Sequence, residues 1–289
     1  MQRTLDRTLL VSLSKRREVD VRAEESRYLI VGGSAAGMAA AHCIRQKDPQ
    51  GTITVLSEES DAPYFRPLIP FLVSGRKRAE EMAIEGQGPY TERSISVKTG
   101  SRVTALDAGN HCAVLEDGSR HHYAKVLLAT GSRPYLPPEI EGTDAQGVFA
   151  LRTLADARRM KARGDRTAHA VMLGGGLLNL KAAFALLERG VSVTLVVYSP
   201  EVLSQLMDPE DATLIRQALE DAGLNIVTAT AATAIQSDAG GVTGVALDNG
   251  RELKCQMVCI GKGVRPNVEF LEGSGIRLTE GIEADHYTA

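Results

Sequence analysis

The 289-residue sequence contains no tryptophan, and only 4% of its residues are aromatic. Single-stranded nucleic acid is bound by aromatic side chains that stack on the bases, and duplexes are bound by strongly basic surfaces. The formal net charge of this chain is −3. The sequence therefore predicts no nucleic-acid partner.

Cysteine and histidine are also scarce, with four and six residues respectively. The four cysteines (Cys43, Cys112, Cys255 and Cys259) are too scattered for a disulfide framework, and no C-x-x-C pair indicates zinc or a redox dithiol. The histidines show no ligand spacing, so no metal site is expected. This use of cysteine favours the reducing cytoplasm.

Long hydrophobic runs are missing. The longest, such as residues 191–198, have the length of a strand and fall far short of the ~20 residues that cross a bilayer, so no membrane span is expected. Residues 1–26 have no small-residue cleavage site and are interpreted as an N-terminal extension. With 43% hydrophobic and 24% charged residues, the chain is typical of a folded protein of about two domains.

Two segments show the pattern strand, glycine turn, helix, strand. In the first, an apolar run over 28–31 is followed by two glycines, an alanine-rich helix over 35–44 and a strand over 52–56. In the second, a strand over 170–173 is followed by three glycines, a helix and another strand over 191–197. Each pattern is typical of a βαβ unit with parallel strands.

The stretch between the two units has a different character. Turn dipeptides at 109–110 and 117–118 indicate a β-meander over 97–123. A buried strand over 125–129 follows it, and the proline-rich stretch over 133–142 indicates a linker. A domain boundary is therefore expected around 134–150.

The first glycine turn, residues 32–37, fits G-x-G-x-x-G at its first and last positions and has Ser34 at the middle one. Glycines in this motif allow a tight turn and let backbone N–H groups approach a pyrophosphate at the helix N-terminus. Glu58 and Glu59 follow the second strand, where a carboxylate accepts adenosine ribose hydroxyls. A glycine-rich turn without a ligand is the alternative.

The second glycine turn, residues 174–179, has Asn179 in place of the third glycine. No carboxylate follows its second strand directly, although Glu201 is close by. The weaker match leaves open a vestigial nucleotide fold. Because neither an acid nor an arginine stands at the strand end, the choice between NADH and NADPH also stays open.

Six segments carry a further resemblance. They are residues 28–37, 53–59, 62–75, 127–134, 171–183 and 260–267. In this order they resemble the FAD-dependent pyridine nucleotide-disulphide oxidoreductases, a family with two dinucleotide-binding domains. The segment 62–67, Ala-Pro-Tyr-Phe-Arg-Pro, is similar to the branch that contains ferredoxin reductases, rubredoxin reductases and nitrite reductase flavin domains.

The resemblance implies an α/β fold of two Rossmann-like dinucleotide-binding domains, with the NAD(P) domain inserted into the FAD domain and with a β-meander. The implied division is an N-terminal extension over 1–26, an FAD-binding domain over 27–147, an NAD(P)-binding domain over 148–262 and an incomplete return to the FAD domain over 263–289.

By the same resemblance, FAD lies at the first glycine turn and NAD(P)H at the second. Glu58 or Glu59 would contact the FAD ribose, Arg66 would lie near its pyrophosphate, and the segment 129–131 would pack near the flavin. The cofactor-binding residues expected are Gly32, Ser34, Ala35, Ala36, Gly37, Glu58, Glu59, Arg66, Val103, Ala129, Thr130, Gly131, Arg133, Gly174, Gly176, Leu177, Asn179 and Gly261.

The sequence departs from the family at the flavin. No cysteine falls near Pro67, so disulfide and peroxide chemistry is not expected. The branch has a lysine–glutamate pair beside the flavin, and the corresponding residues here are Phe71 and Lys181. Lys181 is therefore a candidate catalytic residue whose charge lies near the flavin or a nicotinamide phosphate. The alternative is that it points to solvent.

A second departure lies at the C-terminus. The family continues beyond a segment like 282–289 into a Gly-Asp strand that holds the flavin ribityl chain. We expect either a truncated chain or a second subunit that supplies this part.

The expected function is NAD(P)H oxidation through FAD toward an electron-transfer protein. The expected partner is a redox partner protein or a complementing subunit, with a homodimer as a further option, and the expected location is cytoplasmic. The alternative is a non-catalytic nucleotide-binding subunit, or a remnant, that needs a second chain to complete the FAD site.

Overall fold

The computed structural model describes residues 23–84, 90 and 93–285. Its helices are α1 (Ala35–Lys47), α2 (Ile69–Ser74), α3 (Leu154–Gly164), α4 (Leu177–Leu187) and α5 (Pro209–Asp221). Short 3-10 turns lie at Arg66–Leu68, Ala79–Met82 and Glu269–Leu271. Most of the predicted N-terminal extension, residues 1–22, lies outside the described residues.

A six-stranded mixed sheet forms the first unit. Its strands are β1 (Ala23–Val31), β2 (Ile53–Leu56), β3 (Ile95–Lys98), β4 (Val103–Asp107), β5 (Cys112–Leu115) and β6 (Arg120–Leu128), in the order β3-β2-β1-β6-β5-β4. The neighbours among β3, β2, β1 and β6 run parallel, whereas β4, β5 and β6 run antiparallel. The predicted βαβ unit and β-meander therefore share one sheet, and β6 belongs to both.

A five-stranded parallel sheet forms the second unit. Its strands are β8 (Val148–Phe149), β9 (His169–Leu173), β10 (Ser192–Val196), β11 (Asn225–Val227) and β15 (Met257–Ile260), in the order β11-β10-β9-β15-β8. A three-stranded antiparallel sheet covers one of its faces, with strands β12 (Ala232–Asp238), β13 (Gly241–Leu247) and β14 (Glu252–Lys254).

The chain passes between the two units twice. It leaves through β7 (Ser132–Pro134) and returns through β16 (Val264–Pro266), and these two strands pair antiparallel. After β16, Leu271 is buried in the core of the first sheet. The second unit is thus an insertion in the first, which confirms the predicted fold class.

Alternating side chains of the central strands explain how each sheet is covered on both faces. In β9, Ala170 and Met172 face the helices, whereas Val171 and Leu173 face the three-stranded sheet, and all four are fully buried. Burial of a Val, Leu or Met side chain contributes about 1.5–3 kcal/mol. Parallel strands with both faces buried are continuously apolar, which is the pattern seen in the sequence.

Helix α2 connects the two units through packing. Although its residues precede the second unit by a long stretch of sequence, Ile69, Leu72 and Val73 are buried in the same hydrophobic cluster as the helices and strands of that unit. The segment after β2 therefore holds the second unit against the first.

Strand β1 begins earlier than the predicted border at residue 27. Residues 23–26 pair with residues 120–123 of β6. This pairing is between segments distant in sequence, and the polar residues Glu24, Glu25 and Ser26 gave no apolar strand pattern.

Candidate functional site

A large cleft opens at the carboxyl ends of β1, β2 and β6, where ligands bind in parallel α/β sheets. Its volume is about 1360 Å³, which exceeds the roughly 300–1,000 Å³ of pockets for drug-sized ligands. Predicted residues that line it are Gly32, Ser34, Ala35, Ala36, Glu58, Glu59, Arg66, Val103, Ala129, Thr130, Gly131 and Arg133. Gly37 and the predicted residues of the second unit are not part of this lining.

The first glycine turn is shaped by close backbone contacts. Gly32 has φ +120°, and a Cβ there would lie 2.1 Å from the carbonyl oxygen of Ala129. A Cβ on Gly37 would lie 1.9 Å from the carbonyl oxygen of Gly32. Gly37 is buried where α1 packs on the turn, and its contact with a cofactor stays a prediction.

The helices behind the two glycine turns begin without side-chain caps. Ser34 at the start of α1 and Gly176 at the start of α4 make no capping bond, and neither first turn contains an acid. By contrast, Thr153 caps α3 and Asp208 caps α5. The free N–H groups and the positive end of the helix dipole suit an anionic group such as a diphosphate.

The two acidic residues after β2 have different surroundings. Glu59 accepts hydrogen bonds from Arg66 Nη2 at 2.7 Å and from the Tyr64 hydroxyl at 2.6 Å, so both of its carboxylate oxygens are engaged. Glu58 is exposed, and its Oε1 lies 3.5 Å from Arg102 Nε. Of the two predicted ribose ligands, Glu58 is therefore the one whose carboxylate is free to accept hydroxyls.

Tyr64 and Arg66 connect this acidic segment to the second unit. The Tyr64 hydroxyl accepts hydrogen bonds from Arg66 Nη1 at 3.0 Å and from the backbone N–H of Leu154 at 3.2 Å. Burial and the bond to Glu59 raise the pKa of Tyr64, which stays protonated. Arg66 also donates to the carbonyl of Arg152 at 2.6 Å. Much of the positive charge of Arg66 is therefore neutralised within the protein.

Arg152 is a cleft residue that the sequence did not predict. Its Nε and Nη2 donate to the backbone carbonyl and the hydroxyl of Ser132, each at 3.0 Å. Burial, followed by the nearby charge of Arg66, lowers the pKa of its guanidinium. No carboxylate among the described residues forms an ion pair with it, so its charge is available to an anion. In the sequence, Arg152 could be recognised only as the residue before the capping box of Thr153 and Asp156, which marks the start of a helix.

The predicted flavin-side segment is fixed by the returning chain. Asn267 donates from Nδ2 to the carbonyl of Thr130 at 2.9 Å, and its carbonyl accepts from the Thr130 hydroxyl at 2.9 Å. Its N–H also donates to the carbonyl of Gly131 at 3.0 Å. Arg133 forms an ion pair with Glu269 of the same returning segment. Asn267 thus positions one wall of the cleft and was missed as a site residue.

The second glycine turn is also tight, but its third position differs. Asn179 is buried, and its Nδ2 donates to the carbonyls of Leu173 and Gly174, each at 2.9 Å. A Cβ on Gly174 would lie 2.4 Å from the carbonyl oxygen of Gly261. Asn179, Gly174 and Gly261 therefore contribute to the internal packing of the turn, and their contact with a cofactor stays a prediction.

Gly176 and Leu177 are the exposed residues of this turn. A Cβ on Gly176 would meet no atom within 4 Å, and Leu177 is 53% exposed. These two residues leave the N-terminus of α4 open to a ligand. Their contact with a cofactor stays a prediction.

Lys181 is exposed on α4, which agrees with the alternative that its side chain points to solvent. Phe71, the other altered residue, is partly exposed on α2, which packs against α4. Lys181 is not among the residues that line the large cleft. Because water solvates its charge, its placement requires no anionic partner, and the structure gives no support for a catalytic role.

Thiol chemistry has no place in the cleft, whose lining contains no cysteine. Burial raises the pKa of Cys255 to about 11 and that of Cys259 to about 12, so both stay as protonated core residues. Within residues 23–84, 90 and 93–285, no cluster of three His, Cys, Asp or Glu side chains suits a metal ion. In the same residues, no helix combines the length and apolar character needed to span a membrane.

Two sheets with parallel central strands, each with a glycine turn that leads into an uncapped helix, define a protein with tandem dinucleotide-binding units. Comparison with known families agrees, because the family model for pyridine nucleotide-disulphide oxidoreductases matches residues 26–289. The chain belongs to this family.

Individual relatives carry related names. The chain is 34% identical over 92% of its length to the "NADH-dependent phenylglyoxylate dehydrogenase subunit epsilon" of Aromatoleum evansii, of which it covers 63%. It is 30% identical over 89% of its length to the rubredoxin-NAD(+) reductase of Pseudomonas putida, of which it covers 67%. The ferredoxin reductase for the CYP199A2 system from Rhodopseudomonas palustris matches with a TM-score of 0.83 and 27% identity, over 90% of this chain and 63% of that one. The chain therefore spans about two thirds of the length of these relatives.

Proposed function

We propose that the chain is an FAD-dependent NAD(P)H oxidoreductase that passes electrons from a nicotinamide dinucleotide through FAD to an electron-transfer protein or a partner subunit. The observation that carries the proposal is that each of the two main sheets has a glycine turn between a parallel strand and an uncapped helix N-terminus. Two dinucleotide sites in one protein suit electron transfer between two dinucleotides.

The residues of the cleft fit a flavin dinucleotide. The N-terminus of α1 and the guanidinium of Arg152 would hold the diphosphate, and the carboxylate of Glu58 would accept the adenosine ribose hydroxyls. Ala129 and Thr130, fixed by Asn267, would form a wall for the ring system. FAD, when bound, accepts two electrons from a nicotinamide and releases them singly or in pairs.

The protein's contribution to the rate is placement. Burial raises the pKa of Tyr64, which lies beside the cleft, and lowers that of Arg152, and both groups keep their protons; the hydrogen bond from Arg133 lowers the pKa of Glu269, which stays ionised. We therefore assign the chain's residues the task of orienting two rings rather than transferring protons.

The proposed acceptor follows from the relatives. The names of two of them state rubredoxin and ferredoxin, so we propose a protein of that type. The relative from Aromatoleum evansii is by its name one subunit of a larger enzyme, which supports the second form of the proposal, transfer to a partner subunit. A homodimer stays a prediction, and the cytoplasmic location rests on the cysteine usage alone.

Titration of the purified full chain with FAD tests the first half of the proposal. We expect a protein-bound flavin spectrum, and anaerobic NADH or NADPH should then bleach it. The variant Gly32→Ala places a Cβ 2.1 Å from the Ala129 carbonyl oxygen and should lose FAD. The control Gly109→Ala, in a surface turn where the nearest neighbour of a Cβ is 3.6 Å away, should retain it.

Two results would contradict the proposal. A folded chain that takes up no FAD would leave only the nucleotide-binding alternative. A chain that binds FAD equally well with and without the Gly32→Ala change would place the flavin elsewhere.

A further inference from the structure

The end of strand β10 lacks the acid that commonly binds the adenosine ribose of NADH. The strand ends at Val196, and the next residue, Val197, is buried. Its methyl carbons lie 3.0 and 3.1 Å from where a Cβ of Gly175 would be. A valine therefore fills the position beside the glycine turn in which a carboxylate usually stands.

The chain after β10 folds back onto the second glycine turn. The N–H of Leu203 donates to the carbonyl of Gly175 at 3.2 Å. A Cβ on Gly175 would lie 3.4 Å from Cα of Val202, which is fully buried. Leu203 has φ +53°, a left-handed conformation that costs a non-glycine residue free energy and here reverses the chain. Glu201, the residue before Val202, is thereby held beside the glycine turn.

The carboxylate of Glu201 is ordered by helix α5 but keeps unused hydrogen-bonding capacity. Its Oε2 lies 3.2 Å from Arg216 Nε, and the two side chains are 21% and 34% exposed. These two atoms are buried, yet they form no aligned hydrogen bond with each other or with another described group. Arg216 therefore encloses Oε2 and holds the carboxylate in place, and a ligand would meet the carboxylate through its other oxygen, Oε1.

The second oxygen of Glu201 is also incompletely satisfied. The Thr213 hydroxyl lies 3.4 Å from Oε1, but it lies 2.8 Å from the carbonyl of Pro209. A hydroxyl has one proton to donate, and the shorter contact takes it. Oε1 of Glu201 therefore keeps the capacity to accept a hydrogen bond from a ribose hydroxyl, while Oε2 lies against Arg216.

We infer that Glu201 binds the adenosine ribose of the nicotinamide dinucleotide and selects NADH over NADPH. The inference rests on the proposed function, because it requires a nicotinamide dinucleotide at the second glycine turn. A carboxylate accepts the 2′-hydroxyl of NADH and repels the 2′-phosphate of NADPH. Arg216 is the nearby cation that a 2′-phosphate would use, and its pairing with Glu201 keeps it from that role. Arg216 is thus a positioning residue for Glu201.

Fluorescence titration of the FAD-saturated full chain with NADH and with NADPH tests the inference. The unmodified chain should bind NADH at least about tenfold more tightly than NADPH. Glu201→Gln should lower that ratio by about tenfold or more, since it weakens the bond to the ribose and frees Arg216 for a phosphate. Arg216→Gln should raise the ratio, because the charge of Glu201 then lacks its partner.

Glu210→Gln is the matched control. Glu210 is exposed in the first turn of α5, and its substitution removes the same charge from the same part of the chain. Its NADH to NADPH ratio should equal that of the unmodified chain. If Glu201→Gln fails to fold, Glu201→Asp retains the charge with a shorter reach, and it should weaken NADH binding while still excluding NADPH.

The possible failures are distinguishable. If the unmodified chain binds neither nucleotide, the proposed function fails together with the inference. If it binds NADPH more tightly, or if Glu201→Gln leaves the ratio unchanged while NADH still binds, the assignment of Glu201 is wrong and the proposed function stands.

Discussion

The side chain of Asn179 occupies the space that a side chain on Gly261 would need. A Cβ added to Gly261 would lie 2.4 Å from Cγ of Asn179 and 2.5 Å from its Oδ1. The two residues come from the start of α4 and the end of β15, and the Sγ of Cys259 on that strand lies 3.6 Å from the same Oδ1. An asparagine in place of the third glycine is therefore compatible with the fold because the opposite strand end has a glycine.

Gly261→Ala should destabilise the chain by about 1–3 kcal/mol, the usual cost of forcing an extra carbon into a packed site. Urea denaturation measures the change. Gly176→Ala is the control, because a Cβ there meets no atom within 4 Å and the residue has φ −78°, so its stability should stay within about 0.5 kcal/mol.

The double variant Asn179→Gly with Gly261→Ala distinguishes packing from a general effect of alanine. If the clash explains the loss, the two substitutions together should cost less than the sum of the single costs, with a coupling of about 0.5–3 kcal/mol. Additive costs would show that a clash with the Asn179 side chain does not explain the loss of stability in Gly261→Ala.

The fold was predictable because its signals are local. Glycine turns between an apolar strand and a helix, and continuous apolar strands in a parallel sheet, are written in short stretches of sequence such as 28–37 and 170–179. The turn dipeptides of the β-meander are equally local. Each of these patterns reports the conformation of the residues that form it.

The site was predictable only in outline, because side-chain roles depend on distant partners. The sequence could not show that Glu59 is engaged by Arg66, which leaves Glu58 free, since both acids match the motif. It could not show that Lys181 is exposed or that Asn267 binds Thr130, 137 residues away. Packing across the two units decides these roles, and no periodic pattern reports it.

Arg152 should contribute to flavin binding through its guanidinium, which forms no ion pair within the described residues. Arg152→Gln should weaken FAD binding by about tenfold, because an unpaired guanidinium loses a charged hydrogen bond to the diphosphate. The control Arg166→Gln removes an exposed charge beyond the end of α3 and should leave FAD affinity unchanged. Equal affinity of the Arg152 variant and the unmodified chain, measured by flavin fluorescence quenching, would contradict this role.

The two acids after β2 should separate binding from stability. Glu58→Gln should weaken FAD binding with little change in unfolding free energy, since its carboxylate is exposed. Glu59→Gln should lower the unfolding free energy by about 1–3 kcal/mol, because the amide keeps one acceptor oxygen for two donors and loses the charge that pairs with Arg66. FAD titration and urea denaturation give an FAD affinity and an unfolding free energy for each variant. Weaker FAD binding in the Glu59 variant together with lower stability in the Glu58 variant would contradict the prediction.

The last prediction concerns pH. His121 is buried between strands, its Nε2 lies 3.0 Å from the Ser26 hydroxyl, and burial lowers its pKa from 6.5 despite the opposing charge of Glu24. Burial also lowers the pKa of His169. For a histidine with a lowered pKa, the unfolded chain binds a proton before the folded chain does, so stability is present above pH 6.5 and falls as the pH drops below it.

The urea midpoint of the unmodified chain should therefore be lower at pH 5.5 than at pH 7.5. His121→Gln should make this difference smaller, and His169→Gln should reduce it further. The lowered pKa of Glu24 affects stability only at lower pH, below its ordinary value of 4.5. The neighbouring His122→Gln removes only a charge that acts on His121, so it should diminish the fall less than His121→Gln does. An undiminished fall in the His121 variant would show that the proton is taken up elsewhere.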